Sequence, residues 1–411
     1  MKNFFKVLNL NQVLESTAEF PTVGMEKIAL TDAADRRLAE DIIADADLPG
    51  FHRAVMDGYA VCASSVFGAS GGNPAYLNVI GSVTMGEVPS LTINPGEACK
   101  IATGGMLPQG ADSVVMIEHT EKLDDTAIEV YRSIAPGQNM MLAGEDFSKN
   151  ETLLCAGQLL RPQEIGLLAA FGNEKISVFR KPVIGVISTG DEVVPINAEP
   201  RVGQIRNINS YTLAGLIVKA GGVPADYGIV RDNFDELLQI CADALAQTDM
   251  VLISGGSSVG KHDYTVDVLE ALPDSEIKFH GIDISPGKPT ILAKATDKAI
   301  WGMPGQVTSA MIVFEIVVRP FIEHISGLAP EYRKNKSYKL TARISRNVSS
   351  VQGRNDYLRV RLNDQNGVLW AEPVLGKSGL LNTMVQADGL VAIDLNTEGL
   401  VQGEVVSVIL I

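Results

Sequence analysis

The stretch KPVIGVISTGDE, residues 181–192, decides how the chain is read. An apolar run at 183–187 gives way to Ser188, Thr189, Gly190, Asp191 and Glu192. A buried strand that ends in small and acidic residues has this form, because such residues let backbone and carboxylates meet an anion or a cation. The pattern recurs. The run at 223–230 leads to Asp232 in GIVRDN, and the run at 250–253 leads to Ser254, Gly255 and Gly256, with Ser258 and Asp263 following in SGGSSVGKHDYT. Helical patterns at 210–220 and 234–246 separate the runs. Alternating apolar strands and amphipathic helices predict a parallel sheet with right-handed crossovers. Ligands bind such sheets outside the carboxyl ends of the strands. Asp191, Glu192, Asp232, Asp263 and the glycine turn then share one sheet edge. Those residue types suit a phosphate-bearing ligand and a hard cation.

Outward from this domain, SPGKP at 285–289 brackets Lys288 between Pro286 and Pro289, whose rigid flanks would fix a point charge for an oxyanion. MPGQVTSA at 303–310 places Pro304 and Ser309 ahead of a long apolar helix, whose first N–H groups can bind an anion or simply be capped. Toward the amino terminus, helical spacing predicts helices at 4–18 and 31–38. Short apolar runs broken by Gly and Pro up to residue 144 predict a β-rich module, and Pro162 opens a helix that continues over 163–170. After Gly327-Leu328-Ala329-Pro330, alternating segments through Ile411 predict a small β-barrel or sandwich. The expected division is a discontinuous amino-terminal domain (1–48 with 145–180), an inserted β-rich domain (49–144), the α/β domain (181–328) and a β domain (329–411).

Composition narrows the function. A chain of 411 residues exceeds one ordinary core. Its formal charge of −15 opposes sequence-independent binding to nucleic acid or to an anionic membrane. No run approaches the roughly 20 apolar residues of a membrane span, and the first residues lack the pattern of a signal peptide. Cys62, Cys99, Cys155 and Cys241 are scattered without metal spacing, which fits reduced thiols in the cytoplasm. His52, His119, His262, His280 and His324 are equally dispersed and suggest neither a catalytic triad nor a zinc site.

The ordered series MDGYA (56–60), ATGGMLP (102–108), AGEDF (143–147), STGDE, VRDN, SGGSSVGKHDYT, PGKP and MPGQVTSA resembles the MoeA-type molybdenum insertases, which include the E domain of gephyrin. The resemblance runs nearly end to end. It implies an elongated homodimer of four-domain subunits with a central domain like that of MogA and MoaB. It implies insertion of molybdate into adenylylated molybdopterin with Mg²⁺-dependent release of AMP, and a MogA-type adenylyltransferase as a possible partner. By motif position, Asp191, Glu192, Asp232 and Asp263 would handle Mg²⁺ and the pterin phosphate. Ser188, Thr189, Gly190, Ser254, Gly255, Gly256 and Ser258 would line the pterin side. Lys288, Pro289, Pro304, Ser309, Arg354 (in GRNDYLR) and Ser378 (in GKSG) would hold molybdate. Asp57, Thr103 and Asp146 would serve catalysis from the amino-terminal half, facing the pocket across the dimer. Molybdate and tungstate, as similar tetrahedral oxyanions, are not told apart by these residues.

The chain also departs from the pattern. Ser285 replaces a usual lysine, Gln306 and Val307 stand in place of Asn-Pro, Met141 replaces a basic residue before GED, and Ala54 replaces a common serine. Two missing cations near a dianion would each remove a bond worth roughly 1.5–3 kcal/mol if desolvated. Two alternative readings follow: a paralogue that binds molybdopterin as scaffold or carrier, and a MogA-like adenylyltransferase.

Overall fold

The computed structural model describes residues 7–255, 264–334 and 339–411. The chain divides into two compact units, one of Met1–Glu40, Ala156–Gly166 and Asn173–Ile411, the other of Asp41–Cys155 and Leu167–Gly172.

The first unit is built on six strands: β1 (Val183–Thr189), β2 (Val223–Val230), β3 (Met250–Ser254), β4 (Ser275–His280), β5 (Ile291–Ala295) and β6 (Lys298–Met303). Their order is β2-β1-β3-β6-β5-β4. β2, β1 and β3 are parallel, as their apolar runs predict, and β6 joins them in parallel, whereas β5 runs antiparallel to both β6 and β4. The turn explains that difference. Thr296 and Asp297 both have positive φ (49° and 65°), the geometry of a tight two-residue hairpin. A parallel crossover needs about a dozen residues and could not fit there.

Helices α1 (Asn209–Lys219), α2 (Phe234–Gln247), α3 (Thr265–Ala271) and α4 (Val307–Val313) cover both faces. Period-two alternation sorts the strand residues between them. Ile184, Val186, Leu252 and Trp301 pack with Leu213 and Ile217 of α1 and Ile312 and Val313 of α4. Ile187, Val251, Ile253 and Ile300 pack with Leu237 and Cys241 of α2 and Val268 and Leu269 of α3. Each such side chain, fully buried, contributes about 1.5–3 kcal/mol of transfer free energy. Beyond α4 the helix widens into a π turn at Phe314–Val318 before Arg319–Ile325. Pro320 accounts for the widening: it has no N–H, and its ring would crowd the carbonyl one turn back.

The carboxyl-terminal strands are β7 (Lys339–Ile344), β8 (Asn355–Gln365), β9 (Val368–Pro373), β10 (Gly389–Ile393) and β11 (Val405–Leu410). They pair in the circle β8-β9-β7-β11-β10 and back to β8, a closed barrel without free edges. Ile344, Val360, Ala371, Val391 and Val408 fill it.

Two amino-terminal expectations need correction. The first helix is shorter, spanning Leu10–Glu15 and continued by a 3₁₀ turn at Ser16–Glu19. Asn9 and Gln12 form a reciprocal capping box that sets its start. Over 31–38 there is no α-helix, only a 3₁₀ turn at Leu30–Asp32. Asp35 has φ +59°, which stops helical continuation, and Arg37 and Leu38 instead bridge to Leu159 and Val178. Tertiary pairing overrides the local pattern.

The second unit holds a six-stranded mixed sheet. Its strand Gly58–Val61 carries the MDGYA motif between Glu97–Ile101 and Ser113–Met116. A Cβ on Gly58 would lie 1.8 Å from the Val115 carbonyl oxygen, so only glycine allows this approach.

Candidate functional site

The parallel strands β1, β3 and β6 all end at one cavity of about 980 Å³. Ser188, Thr189, Gly190 and Glu192 enter it from the end of β1, Asp232 from the turn after β2, and Ser254 and Gly255 from the end of β3. Lys288 and Pro289 come from the turn before β5, and Pro304 and Ser309 flank the start of α4. The barrel contributes Arg354, just before β8, and Ser378, from the loop after β9. Residues more than 180 positions apart in sequence therefore line one wall, as expected where strand order reverses in a parallel sheet.

Asp191 is not on the cavity lining but touches it indirectly, its Oδ1 accepting the Asp232 N–H at 3.4 Å. Gly256, Ser258 and Asp263 fall outside the described residues. Asp57, Thr103 and Asp146 belong to the second unit. There the Thr103 N–H (2.7 Å) and hydroxyl (2.8 Å) both donate to Asp57 Oδ1. These two bonds hold the Asp57 carboxyl below its ordinary pKa.

The acidic end is tied to the strand tips. The Thr189 hydroxyl donates to Asp232 Oδ1 at 3.0 Å, so β1 and the β2 turn present their oxygens together. Gly190 has φ +142°, and a Cβ there would sit 2.7 Å from Glu192 Oε2. Among the described residues, no three of His, Cys, Asp and Glu form a metal-holding group. Two neighbouring carboxylates with Glu192 close by still suit Mg²⁺, which keeps several waters and needs only one or two protein carboxylates.

The glycine turn is equally constrained. Gly255 has φ +116°, and a Cβ on it would lie 2.3 Å from the Thr189 carbonyl oxygen. The backbone can come this close only with no side chain, which also opens it to a ligand.

At the opposite end, Ser285 lies in register beside Asp356. Burial raises the Asp356 pKa, but hydrogen bonds from Ser350 and Ser285 and the Arg354 charge outweigh it, leaving the carboxyl below its usual range. Arg354 Nε stands 3.0 Å from Asp356 Oδ1, an ion pair by distance whose N–H is not aligned for a hydrogen bond. Gln306, at the head of α4, accepts a bond from the Ser378 hydroxyl, and the Ser378 carbonyl takes the Thr308 N–H at 3.2 Å. The barrel loop thus caps the helix where the proline of the usual motif is missing.

Sequence reading missed the segment Arg206-Asn207-Ile208-Asn209, which also lines the cavity. Asn207 joins Ser188 and Ser210 in a buried network, accepting from Ser188 Oγ at 3.1 Å and donating to Ser210 Oγ at 2.9 Å. Asn209 donates through one amide nitrogen to Ser254 Oγ (2.7 Å) and to the Gly305 carbonyl (2.8 Å). It clasps the turns after β3 and β6. Nothing local marks Asn209, because both partners of its amide are distant in sequence.

Comparison with known proteins gives three family matches in order. "MoeA N-terminal region (domain I and II)" covers residues 8–172, "Probable molybdopterin binding domain" 185–324, and "MoeA C-terminal region (domain IV)" 341–411. The molybdopterin molybdenumtransferase of Bacillus subtilis is 32% identical over 94% of this chain and 90% of its own length. Among solved structures, a molybdopterin biosynthesis MoeA protein of Pyrococcus horikoshii OT3 superposes with a TM-score of 0.86 at 31% identity, covering 99% of this chain and 100% of that one. Another Pyrococcus MoeA structure gives 0.80 at 38% identity over 98% and 99% of the two chains.

Proposed function

The chain belongs to the MoeA family, and from that premise we propose that it acts in molybdenum cofactor biosynthesis as a molybdopterin molybdenumtransferase. It would insert molybdate into adenylylated molybdopterin and release AMP. One observation carries this reading: a single cavity joins an acidic, glycine-lined end to an end bearing Lys288, Arg354, Ser309 and Ser378. A pterin phosphate and a tetrahedral oxyanion need those two chemistries side by side.

The residues divide the work. The turn at Ser254 and Gly255 offers close backbone approach to the phosphates. Lys288 and Arg354 supply positive charge to the oxyanion, and Ser309 and Ser378 supply hydroxyl donors. Asp191, Glu192 and Asp232 would hold Mg²⁺, which when bound would offset charge on the phosphoanhydride. Asn209 keeps the two turns at a fixed spacing so that both ends engage one substrate. The same reading has a homodimer working in the cytoplasm and receiving adenylylated molybdopterin from a MogA-type enzyme.

The test is cofactor assembly in vitro from adenylylated molybdopterin, molybdate and Mg²⁺. AMP release that requires both molybdate and Mg²⁺ is expected. A second reading, binding without transfer, draws on Ser285 and Gln306, whose side chains are engaged by Asp356 and Ser378. Tight pterin binding with no AMP release would establish that reading instead. Adenylyl transfer is served less well, since it gives no task to the barrel residues on the cavity. Sedimentation at micromolar concentration tests the dimer.

A further inference from the structure

Arg359 lies on β8, a few residues beyond Arg354, and is only 9% exposed. Its Nη1 donates to Thr383 Oγ1 at 2.6 Å and its Nη2 to the Gly376 carbonyl at 2.7 Å. Both acceptors are neutral. Among the described residues no carboxylate lies within ion-pair distance of it, and Nε has no hydrogen-bond partner. Burial pushes the guanidinium pKa down, yet an arginine stays protonated in proteins. A buried, unpaired charge is costly, and well-packed apolar residues would serve a barrel wall better.

The two acceptors bracket the segment 376–383. Inside it, Ser378 and Gly379 line the cavity. Thr383 Oγ1 in turn donates to the Leu380 carbonyl at 2.6 Å, and the Ser378 carbonyl receives the Thr308 N–H from α4. One guanidinium fork therefore pins both ends of the strap that closes the oxyanion end. We propose that Arg359 is a positioning residue that holds the Gly376–Thr383 strap over the cavity and, as a cation without a carboxylate partner, biases that end toward a dianion. This deepens the function proposed above by naming what makes its oxyanion end selective for charge.

Two separate roles follow, and variants part them. Arg359→Lys keeps the charge but loses the planar fork. Arg359→Met loses both. Thr383→Val leaves the charge and cuts one strut. The probes are molybdate binding by calorimetry, with pterin nucleotide binding as the internal control, and hydrogen exchange of the strap amides. Arg359→Met is expected to weaken molybdate binding roughly ten- to hundredfold with pterin affinity little changed. Arg359→Lys should recover part of that loss, and Thr383→Val should speed exchange at the strap while keeping most of the affinity. Folded Arg359→Met that binds molybdate as the parent does, with parental strap exchange, overturns the proposal. Should Arg359→Met fail to fold, unchanged exchange and affinity in both Arg359→Lys and Thr383→Val overturn it equally. If the parent protein binds no molybdate, the oxyanion reading falls on that result alone, and strap exchange in the variants still decides the positioning role.

Discussion

Replacing Asn209 tests whether the cavity depends on the clasp between its two turns. Asn209→Ala removes the donor to Ser254 Oγ and to the Gly305 carbonyl. A neutral hydrogen bond contributes a net 0.5–1.5 kcal/mol, so the pair is worth about 1–3 kcal/mol. Gly305 is exposed, so water can satisfy its carbonyl and the cost falls toward the lower half, about 1–2 kcal/mol. Because the clasp fixes two substrate-lining turns, that loss should appear as a roughly tenfold drop in pterin nucleotide affinity. Asn209→Asp should do worse. It sets a carboxylate oxygen against a carbonyl oxygen and adds a negative charge beside a phosphate site. Calorimetric titration with the pterin nucleotide should rank parent above Ala above Asp. Equal affinities, or Asp binding more tightly than Ala, would refute the clasp.

Asp232→Asn should cut Mg²⁺-dependent AMP release by two orders of magnitude or so while leaving pterin affinity within a few-fold, since it alters charge near the breaking bond more than shape; equal release rates would remove Asp232 from the metal site. Ser285→Lys adds a cation, but its register neighbour Asp356 would take part of the charge, so molybdate binding should tighten only about threefold to tenfold, and no gain by calorimetry would show full neutralisation. The Asp356 carboxyl is held below its usual range, so its stabilisation is complete above the unfolded-state value and is lost as pH falls through the folded one. Urea midpoints from neutral pH to about pH 3 should therefore fall less steeply in Asp356→Asn than in the parent, and parallel curves would contradict the assignment.

The sheet was legible because burial on both faces leaves near-continuous apolar runs, as at 183–187 and 250–253. The antiparallel pair β5–β6 was not, since a strand's direction depends on its turn, and Thr296-Asp297 carries no Gly to mark it. At the cavity, several lining residues such as Gly190, Gly255, Lys288 and Pro304 could be picked out from their glycine and proline motifs. Asn207 and Asn209 were not, because their partners Ser188, Ser254 and Gly305 are distant in sequence. Arg359 was equally hidden: in a strand that alternates polar and apolar residues, an arginine reads as a solvated side chain until the fold buries it.

The departures at 285, 306 and 141 gain meaning from what each side chain touches. Ser285 hydrogen-bonds Asp356, so the carboxylate that would have faced a lysine is left with Arg354 as its cationic neighbour. Gln306 is taken up by Ser378, joining helix and barrel loop through side chains where a proline would have stiffened the turn covalently. Met141, in the second unit, rests its sulfur 3.3 Å from Arg53 Nη2, so a cation stands beside the position where a basic residue is usual. Each change is thus matched by a neighbour. Against the usual motif the oxyanion end nevertheless has one positive charge fewer, with Asp356 beside the position where the lysine would stand. On the proposed function, with an overall charge of −15 offering no help at long range, affinity for a dianion would rest on Lys288, Arg354 and the charge behind the strap.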